Sequence, residues 1–371
     1  MLQAHKPIQH PFVHTTLEIT DITDDARLLP GFDDHERIVL GRDETRGLIA
    51  IVAIHDTRRG PALGGTRVWK HESLEAAITD ALRLSRGMTY KSAIADMPFG
   101  GGKAVILANA TTDKTPDLLE AYAEILSVLN GDYYTGEDVG LTLADADFLR
   151  ARTPNVTGTT LGGSENPSPV TAHGVFLGLK ATVKHRFDRN GLAGLKVAVQ
   201  GLGSVGRRLC EELHEAGATL IVADIDKSRV EAAIQDFGAV AMASDMIALA
   251  DVDVFAPCAL GGIIHAGMID RIKAKVIAGA ANNQLADETD ALRLAERGIL
   301  YAPDYVINAG GLINVASELL PGGYDRARAM RLVETIPATL ADIFTRADAE
   351  KRPTNAIAEE LAQEQIAGPH R

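Results

Sequence analysis

The segment LKVAVQGLGSVGRRLCEELHEAGATLIVAD (195–224) constrains this chain more than any other. A β-branched run leads straight into Gly201-Leu202-Gly203-Ser204-Val205-Gly206. An amphipathic helix pattern through Leu209, Leu213 and Ala216 follows, and then a second apolar run ending in Asp224. Gly201 permits a tight turn, Gly203 lets backbone approach a pyrophosphate, and Gly206 lets helix and strand pack closely, with the first helical amides free to bind phosphate. Asp224 is placed to accept hydrogen bonds from an adenosine ribose and to repel a 2′-phosphate, which points to NAD rather than NADP, although Lys227 and Arg229 stand nearby.

Five short apolar runs in the second half, at 197–200, 220–223, 252–256, 276–278 and 299–302, alternate with helical patterns. Such continuous apolar strands predict a parallel sheet covered on both faces. The chain is therefore expected to be α/β with two domains. An N-terminal α/β domain takes 1–157 with about 345–371, and a doubly wound nucleotide-binding domain takes 158–344, joined through the loop-rich stretch 156–169. A net charge of −13 argues against nucleic acid as a partner, because phosphate neutralisation needs a basic surplus. The two cysteines, Cys210 and Cys258, provide neither a disulfide framework nor a CxxC metal site. No apolar run is long enough to span a bilayer and no signal-peptide pattern opens the sequence, so a reducing cytoplasm is the expected compartment. Residues 1 to about 30 read as a weakly ordered arm whose His5, His10 and His14 lack the scaffold of a metal site.

The first half carries the chemistry. A strand pair around an Asp43-Glu44 turn is expected from residue 36, followed by a helix capped by Ser73. Lys91 falls late in or just after that helix within GMTYKSA, and Lys103 follows three glycines and precedes a strand in FGGGKAVI. Ammonium groups in apolar surroundings are costly unless paired, and desolvation suits them to acid-base work. With the acidic stretch TGEDVG they suggest a carboxylate-binding cation, a catalytic lysine and a carboxylate proton partner.

Seven collinear stretches, GPALGGTRVW (60–69), GMTYKSA (87–93), FGGGKAVI (99–106), YTGEDVG (134–140), NPSPVTAHGV (166–175), AGAANNQL (278–285) and YAPDYVINAGG (301–311), resemble the amino acid dehydrogenase family that acts on glutamate, leucine, phenylalanine and valine. The resemblance implies reversible oxidative deamination of an L-amino acid to its 2-oxo acid and ammonia with NAD, without a metal, by a homo-oligomer whose N-terminal domain binds substrate and forms the subunit contacts. By the same resemblance Lys103 activates water, Asp138 handles protons at the substrate amine, and Lys91 holds the substrate carboxylate. Gly64, Gly65, Leu63, Met88, Gly136, Leu312 and Val315 line the substrate. On the cofactor side it implies the glycine turn with Leu202, Ser204 and Val205; Asp224 and Ile225 at the adenosine; and Thr171, Cys258, Ala259, Ala280, Asn283 and Asn308 nearer the nicotinamide, with Asn282 as a substitute for Asn283.

The choice of amino acid rests on few positions. Leu63 stands where glutamate-type members carry a lysine, so a second carboxylate would be left unpaired and an apolar side chain is expected. Gly136 and Leu312 lean towards phenylalanine or another bulky or aromatic side chain, which is the expected preference, whereas ALGGTRVW and NPSPVTA lean towards leucine or another branched-chain substrate as the alternative. A nucleotide-binding regulator without catalysis is the distant alternative, opposed by the joint presence of Lys91, Lys103 and Asp138.

Overall fold

The computed structural model describes residues 16–368, and tertiary contacts divide them into two compact units. The first contains the chain up to Asn166 with Val315–Arg326 and the stretch from Gln365, and the second contains Pro167–Asn314 and Ala327–Glu364. The sequence expectation assigned about 345–371 to the first domain. In the structure the last helix is held to the second unit by the Thr354 hydroxyl, which donates to the Tyr301 carbonyl at 2.7 Å, and by Arg346, which reaches Glu360 at 2.6 Å.

The first unit is a seven-stranded sheet with helices on both faces. Its strands are β1 (Glu18–Asp21), β2 (Arg37–Asp43), β3 (Leu48–Asp56), β4 (Ala62–Leu63), β5 (Thr66–Val68), β6 (Gly100–Ile106) and β7 (Tyr133–Tyr134), ordered β1-β2-β3-β6-β4-β7 with β5 also on β6. Strands β1 to β3 and β6 are antiparallel, while β4 and β5 run parallel to β6. The expected strand pair is β2–β3, closing at Asp43 and Leu48. Its helices are α1 (Thr23–Ala26), α2 (Leu74–Ile94), α3 (Pro116–Val128) and α4 (Leu143–Arg150). Ser73 caps α2, accepting the Ala76 N–H at 3.1 Å. Helix α2 packs Ile78, Ala81 and Leu82 on Ile38, Ile51 and Val105, and α3 packs Tyr122, Ile125 and Leu126 on the opposite face with Val39, Val52 and Ala104. The alternation of β3 towards two covered faces explains its nearly unbroken apolar sequence.

The arm expected over residues 1 to about 30 needs correction from residue 18 onward. Strand β1 pairs with β2, and Leu17, Ile19 and Ile22 are buried in the core. Three apolar side chains among polar neighbours suffice for an edge strand, although they make a short signal in sequence. His5, His10 and His14 lie outside the described residues.

His35, just before β2, is 3% exposed. Its Nδ1 accepts the Asp33 N–H at 3.1 Å, and its Nε2 faces the Leu82 carbonyl and Ser85 Oγ at 3.0 Å each. Burial, and then the nearby His55 ring, pull its pKa down to about 4 from 6.5. The unfolded chain thus binds the proton first as pH falls. The stability this ring contributes is complete above pH 6.5 and is lost progressively down to about 4. We expect acidification across that window to cost roughly 2 to 3 kcal/mol through this group. Urea titrations at neutral and mildly acidic pH should show a smaller pH effect in His35→Gln than in the wild type.

The second unit holds six parallel strands: β8 (Lys196–Gln200), β9 (Thr219–Ala223), β10 (Val240–Ala241), β11 (Val254–Pro257), β12 (Val276–Ile277) and β13 (Leu300–Tyr301), in the order β10-β9-β8-β11-β12-β13. Around them lie α5 (Ser168–Phe187), α6 (Ser204–Glu215), α7 (Lys227–Phe237), α8 (Ala266–Ile269), α9 (Asp290–Glu296), α10 (Asp304–Ile307), α11 (Gly310–Ala316), α12 (Arg326–Val333), α13 (Ile336–Glu350) and α14 (Thr354–Ala367), the ends of α11, α12 and α14 reaching into the other unit's chain segments. With the sheet numbered from β8 this is the 3-2-1-4-5-6 order of a Rossmann fold, whose switch point lies between β8 and β11. Among the described residues no helix is long and apolar enough to cross a membrane.

Candidate active site

Strand β6, GGGKAVI, begins at its first glycine, so the three glycines and Lys103 itself are strand residues, whereas Lys103 was expected to precede the strand. Neighbouring elements press too closely for side chains there. A Cβ at Gly101 would lie 2.1 Å from the Thr89 N of α2. Strand alternation puts Lys103 on the same face as Gly101 and Val105, the face α2 covers. Lys103 is 6% exposed, and its ammonium forms an ion pair with Asp138. Burial alone would raise the Asp138 carboxyl, but the Lys103 charge and hydrogen bond hold it below the usual carboxylate range, aided by the Val139 amide. Glu137, its neighbour, is pushed up by burial and then by the Asp138 charge.

Gly64 and Gly65 fill the space between these groups. A Cβ on Gly64 would meet the Gly102 carbonyl oxygen at 1.9 Å and Met88 Cγ at 3.2 Å, and one on Gly65 would meet the Glu137 carbonyl oxygen at 2.7 Å and Asp138 Cβ at 2.9 Å. The structure thus gathers Lys103, Asp138, Gly64, Gly65 and Met88. Lys91 is half-buried in the last turn of α2, one turn beyond Met88. Gly64 offers little to a substrate through its own backbone, because its N–H donates to the Tyr134 carbonyl at 3.1 Å and its carbonyl accepts the Tyr133 hydroxyl at 2.5 Å.

Tyr133 belongs to a buried hydroxyl network that sequence reasoning missed. Thr66 Oγ1 lies 2.5 Å from both Tyr122 Oη and Thr135 Oγ1. In sequence these residues look like ordinary strand and helix core. Only the adjacency of Thr66 to the Gly64-Gly65 pair, and of Thr135 to the acidic stretch, hints at more.

The expected substrate-lining positions are distributed as follows. Leu63, on β4, is 1% exposed, between Gly101 and Tyr134 in the sheet register. Gly136 is buried, and a Cβ there would stand 3.2 Å from both the carbonyl oxygen and Oγ1 of Thr157. Val315 Cγ1 lies 3.6 Å from the corresponding position on Gly158. Leu312, three residues earlier on α11, is buried and belongs to the second unit.

In the second unit the glycine turn follows β8 as expected. Gly201 has φ +94°, and its Cβ would fall 2.8 Å from that of Ala259. A Cβ on Gly206 would sit 1.9 Å from the Gly201 carbonyl oxygen, whereas the space beside Gly203 is open. Gly203 is the N-cap of α6 and supplies no side-chain cap, so the first-turn amides at Ser204 and Val205 are left for a ligand. Asp224 is anchored by two backbone donors: Leu202 N–H to Oδ2 at 2.6 Å and Asp226 N–H to Oδ1 at 2.8 Å. Ile225 beside it is 94% exposed.

At the carboxyl edge of β11 and β12, the Asn308 amide nitrogen donates to the Ala280 carbonyl at 3.0 Å and to Asn282 Oδ1 at 2.8 Å. Asn308 Oδ1 is buried without a partner among the described residues. Asn282 is therefore the residue joined to Asn308; both Asn282 and Asn283 are exposed, and Asn283 adopts a left-handed turn at φ +51°. The Cys258 N–H donates to the Gln200 carbonyl at 2.7 Å, and burial pushes its thiol up to about 12, which suits a spacer better than a nucleophile. Thr171 Oγ1 donates to the Pro167 carbonyl at 3.0 Å and packs against Gly311. The glycine cradle, the uncapped helix, the anchored carboxylate and the unpartnered amide oxygen together fit a dinucleotide.

The chain is similar to known proteins over most of its length. Residues 35–155 match the family model described as the Glu/Leu/Phe/Val dehydrogenase dimerisation domain, and residues 222–322 match that of Glutamate/Leucine/Phenylalanine/Valine dehydrogenase. Leucine dehydrogenase of Bacillus subtilis (strain 168) is 50% identical over 90% of this chain and 92% of its own length. Phenylalanine dehydrogenase of Bacillus thermotolerans is 42% identical over 94% and 92%. The crystal structure of L-tryptophan dehydrogenase from Nostoc punctiforme superposes with a TM-score of 0.79 at 47% identity, covering 90% of this chain and 96% of that one.

Proposed function

This chain belongs to the glutamate/leucine/phenylalanine/valine dehydrogenase family, and on that premise we propose that it oxidatively deaminates apolar L-amino acids, reversibly and with NAD, those with branched aliphatic side chains first. It is an amino acid dehydrogenase, an oxidoreductase acting on CH–NH2. The observation that carries its chemistry is the buried Lys103–Asp138 pair seated against Gly65.

A dinucleotide held by the glycine turn of the second unit would supply the hydride acceptor for the substrate α-carbon. Lys91 holds the α-carboxylate and orients that carbon. Asp138 takes a proton from the substrate ammonium and later returns it to the departing nitrogen. Lys103, which sheds its own proton to solvent as substrate binds, directs a water to the imino carbon and takes up the proton that water loses. Collapse of the adduct releases 2-oxo acid and ammonia. The nitrogen leaves as ammonium, the proton shed by Lys103 is the one the net reaction releases, and both side chains end as they began, Lys103 as ammonium and Asp138 as carboxylate. Asn308, Asn282 and Thr171 serve the nicotinamide end, and the α6 amides the pyrophosphate. The Asp224 charge beside the adenosine disfavours a 2′-phosphate. By the description of its first domain, copies of this chain associate with one another.

Leu63 supports an apolar side chain, since it offers no charge to a second carboxylate. With Leu312, Gly136 suggests the aromatic substrates expected from the sequence. Yet the volume of its missing methyl is bordered at 3.2 Å by Thr157, so little space is opened there. The 50% identity with a leucine dehydrogenase then favours branched side chains, with bulkier ones accepted more slowly. A panel of L-amino acids with NAD and NADP, ranked by kcat/KM, tests this; phenylalanine or tryptophan outranking leucine would refute the preference. In Gly136→Ala, Thr157 must shift by a few tenths of an ångström. The phenylalanine-to-leucine ratio of kcat/KM should fall by about 10-fold, the scale of a methylene-sized change.

A further inference from the structure

Glu318 lies one turn beyond Val315, its N–H donating to the Val315 carbonyl at 3.2 Å. Its Oε1 accepts two backbone N–H groups, from Gly158 at 2.8 Å and from Ser164 at 2.7 Å. A single carboxylate oxygen thus closes both ends of the loop 158–164. Gly158 enters the loop at φ +72°, and Gly163 lies so close to Thr159 that a Cβ would stand 2.4 Å from its carbonyl oxygen. The middle of the loop is tied separately, because the N–H and hydroxyl of Thr160 both donate to the Asp147 carboxylate at 2.8 Å.

The residue just before this loop is Thr157, which borders Gly136. Its N–H and hydroxyl both donate to the Thr135 carbonyl, at 2.7 and 2.9 Å. Glu318 therefore fastens the chain that follows Thr157 to the chain that follows Val315, and Val315 itself stands beside Gly158. We propose that Glu318 is a positioning residue for the substrate side-chain pocket, holding the Gly136–Thr157 wall and Val315 at a fixed separation. This rests on the reading of those residues as pocket wall. Charge-assisted bonds to two N–H groups are strong, and their loss leaves two donors without their acceptor.

The test is steady-state kinetics of the wild type, Glu318→Ala and Glu318→Gln with leucine, phenylalanine and NAD. In Glu318→Ala we expect KM for the amino acid to rise about 10-fold, the equivalent of one lost hydrogen bond, with kcat within about 3-fold and KM for NAD unchanged. The phenylalanine-to-leucine ratio should shift, because the two pocket walls can part. Glu318→Gln keeps an amide oxygen that accepts both N–H groups and should return KM to within about 3-fold of the wild type. An unchanged amino acid KM and selectivity in Glu318→Ala would overturn the proposal, as would a fall in kcat shared equally by all substrates with KM intact, the signature of a merely structural role. If Glu318→Ala does not fold, a Glu318→Gln enzyme that loses kcat rather than keeping near-wild-type KM overturns it equally. Wild-type inactivity towards every amino acid would instead strike the functional reading, and this proposal with it.

Discussion

Lys103→Ala is expected to lower kcat by about 100- to 10,000-fold, the span of positioned acid-base catalysis, while dinucleotide affinity stays at the wild-type level. The second half of that expectation follows from the fold, since the glycine turn and Asp224 belong to a different compact unit from Lys103. The substitution also leaves Asp138 without its cation, and breaking a buried pair can cost about 3 to 5 kcal/mol of stability. Lys103→Met combined with Asp138→Asn removes both charges and should recover most of that stability without recovering turnover. Rates of NADH formation, NADH titration and thermal melts of the three proteins separate the two effects. Wild-type turnover in the alanine variant would end the assignment. The Asp138 carboxyl, depressed in the fold, contributes to stability at all pH above its ordinary value of 3.8, and that contribution disappears only as pH falls further, through the depressed value. Mild acid will therefore not break the pair.

Gly206→Ala should weaken dinucleotide binding by about 10- to 100-fold. Its Cβ would stand 1.9 Å from a backbone oxygen, where no flexible side chain can yield. Helix α6 must then move away from β8, at an overpacking cost of about 1 to 3 kcal/mol, and take its first-turn amides with it. Gly203→Ala is the informative companion, because a methyl there meets nothing in the protein. Loss of affinity in that variant reports close approach by the ligand itself. NADH fluorescence titrations measure both, and full affinity in both variants would remove the glycine turn from the site.

The nucleotide half was legible because its strands are buried on both faces and its punctuation is glycine. All five apolar runs became strands. Only β10 escaped, as two exposed edge residues carry no pattern. In the first half β6 was expected to begin only after Lys103 because local propensity opposes Gly-Gly-Gly in a strand; the close approach of Asp56, Thr89 and Tyr133 overrides it. Lys103 was identifiable as chemistry by its apolar flanks and Asp138 by the acidic stretch and the family resemblance, but nothing local revealed that they touch. Choosing between Asn282 and Asn283 needed the backbone, because neighbours in sequence point apart. Glu318 was invisible for a related reason: its partners are main-chain amides, which have no letter in a sequence.

The tether from the Leu202 N–H to Asp224 has a practical consequence for altering coenzyme choice. The same carboxylate that would discriminate between the two coenzymes also braces the tip of the phosphate loop. Exchanging it for a neutral residue to admit the phosphorylated form would unfasten that loop at the same stroke. A redesign that relaxes discrimination must therefore supply a new acceptor for Leu202, or else lose grip on both coenzymes together.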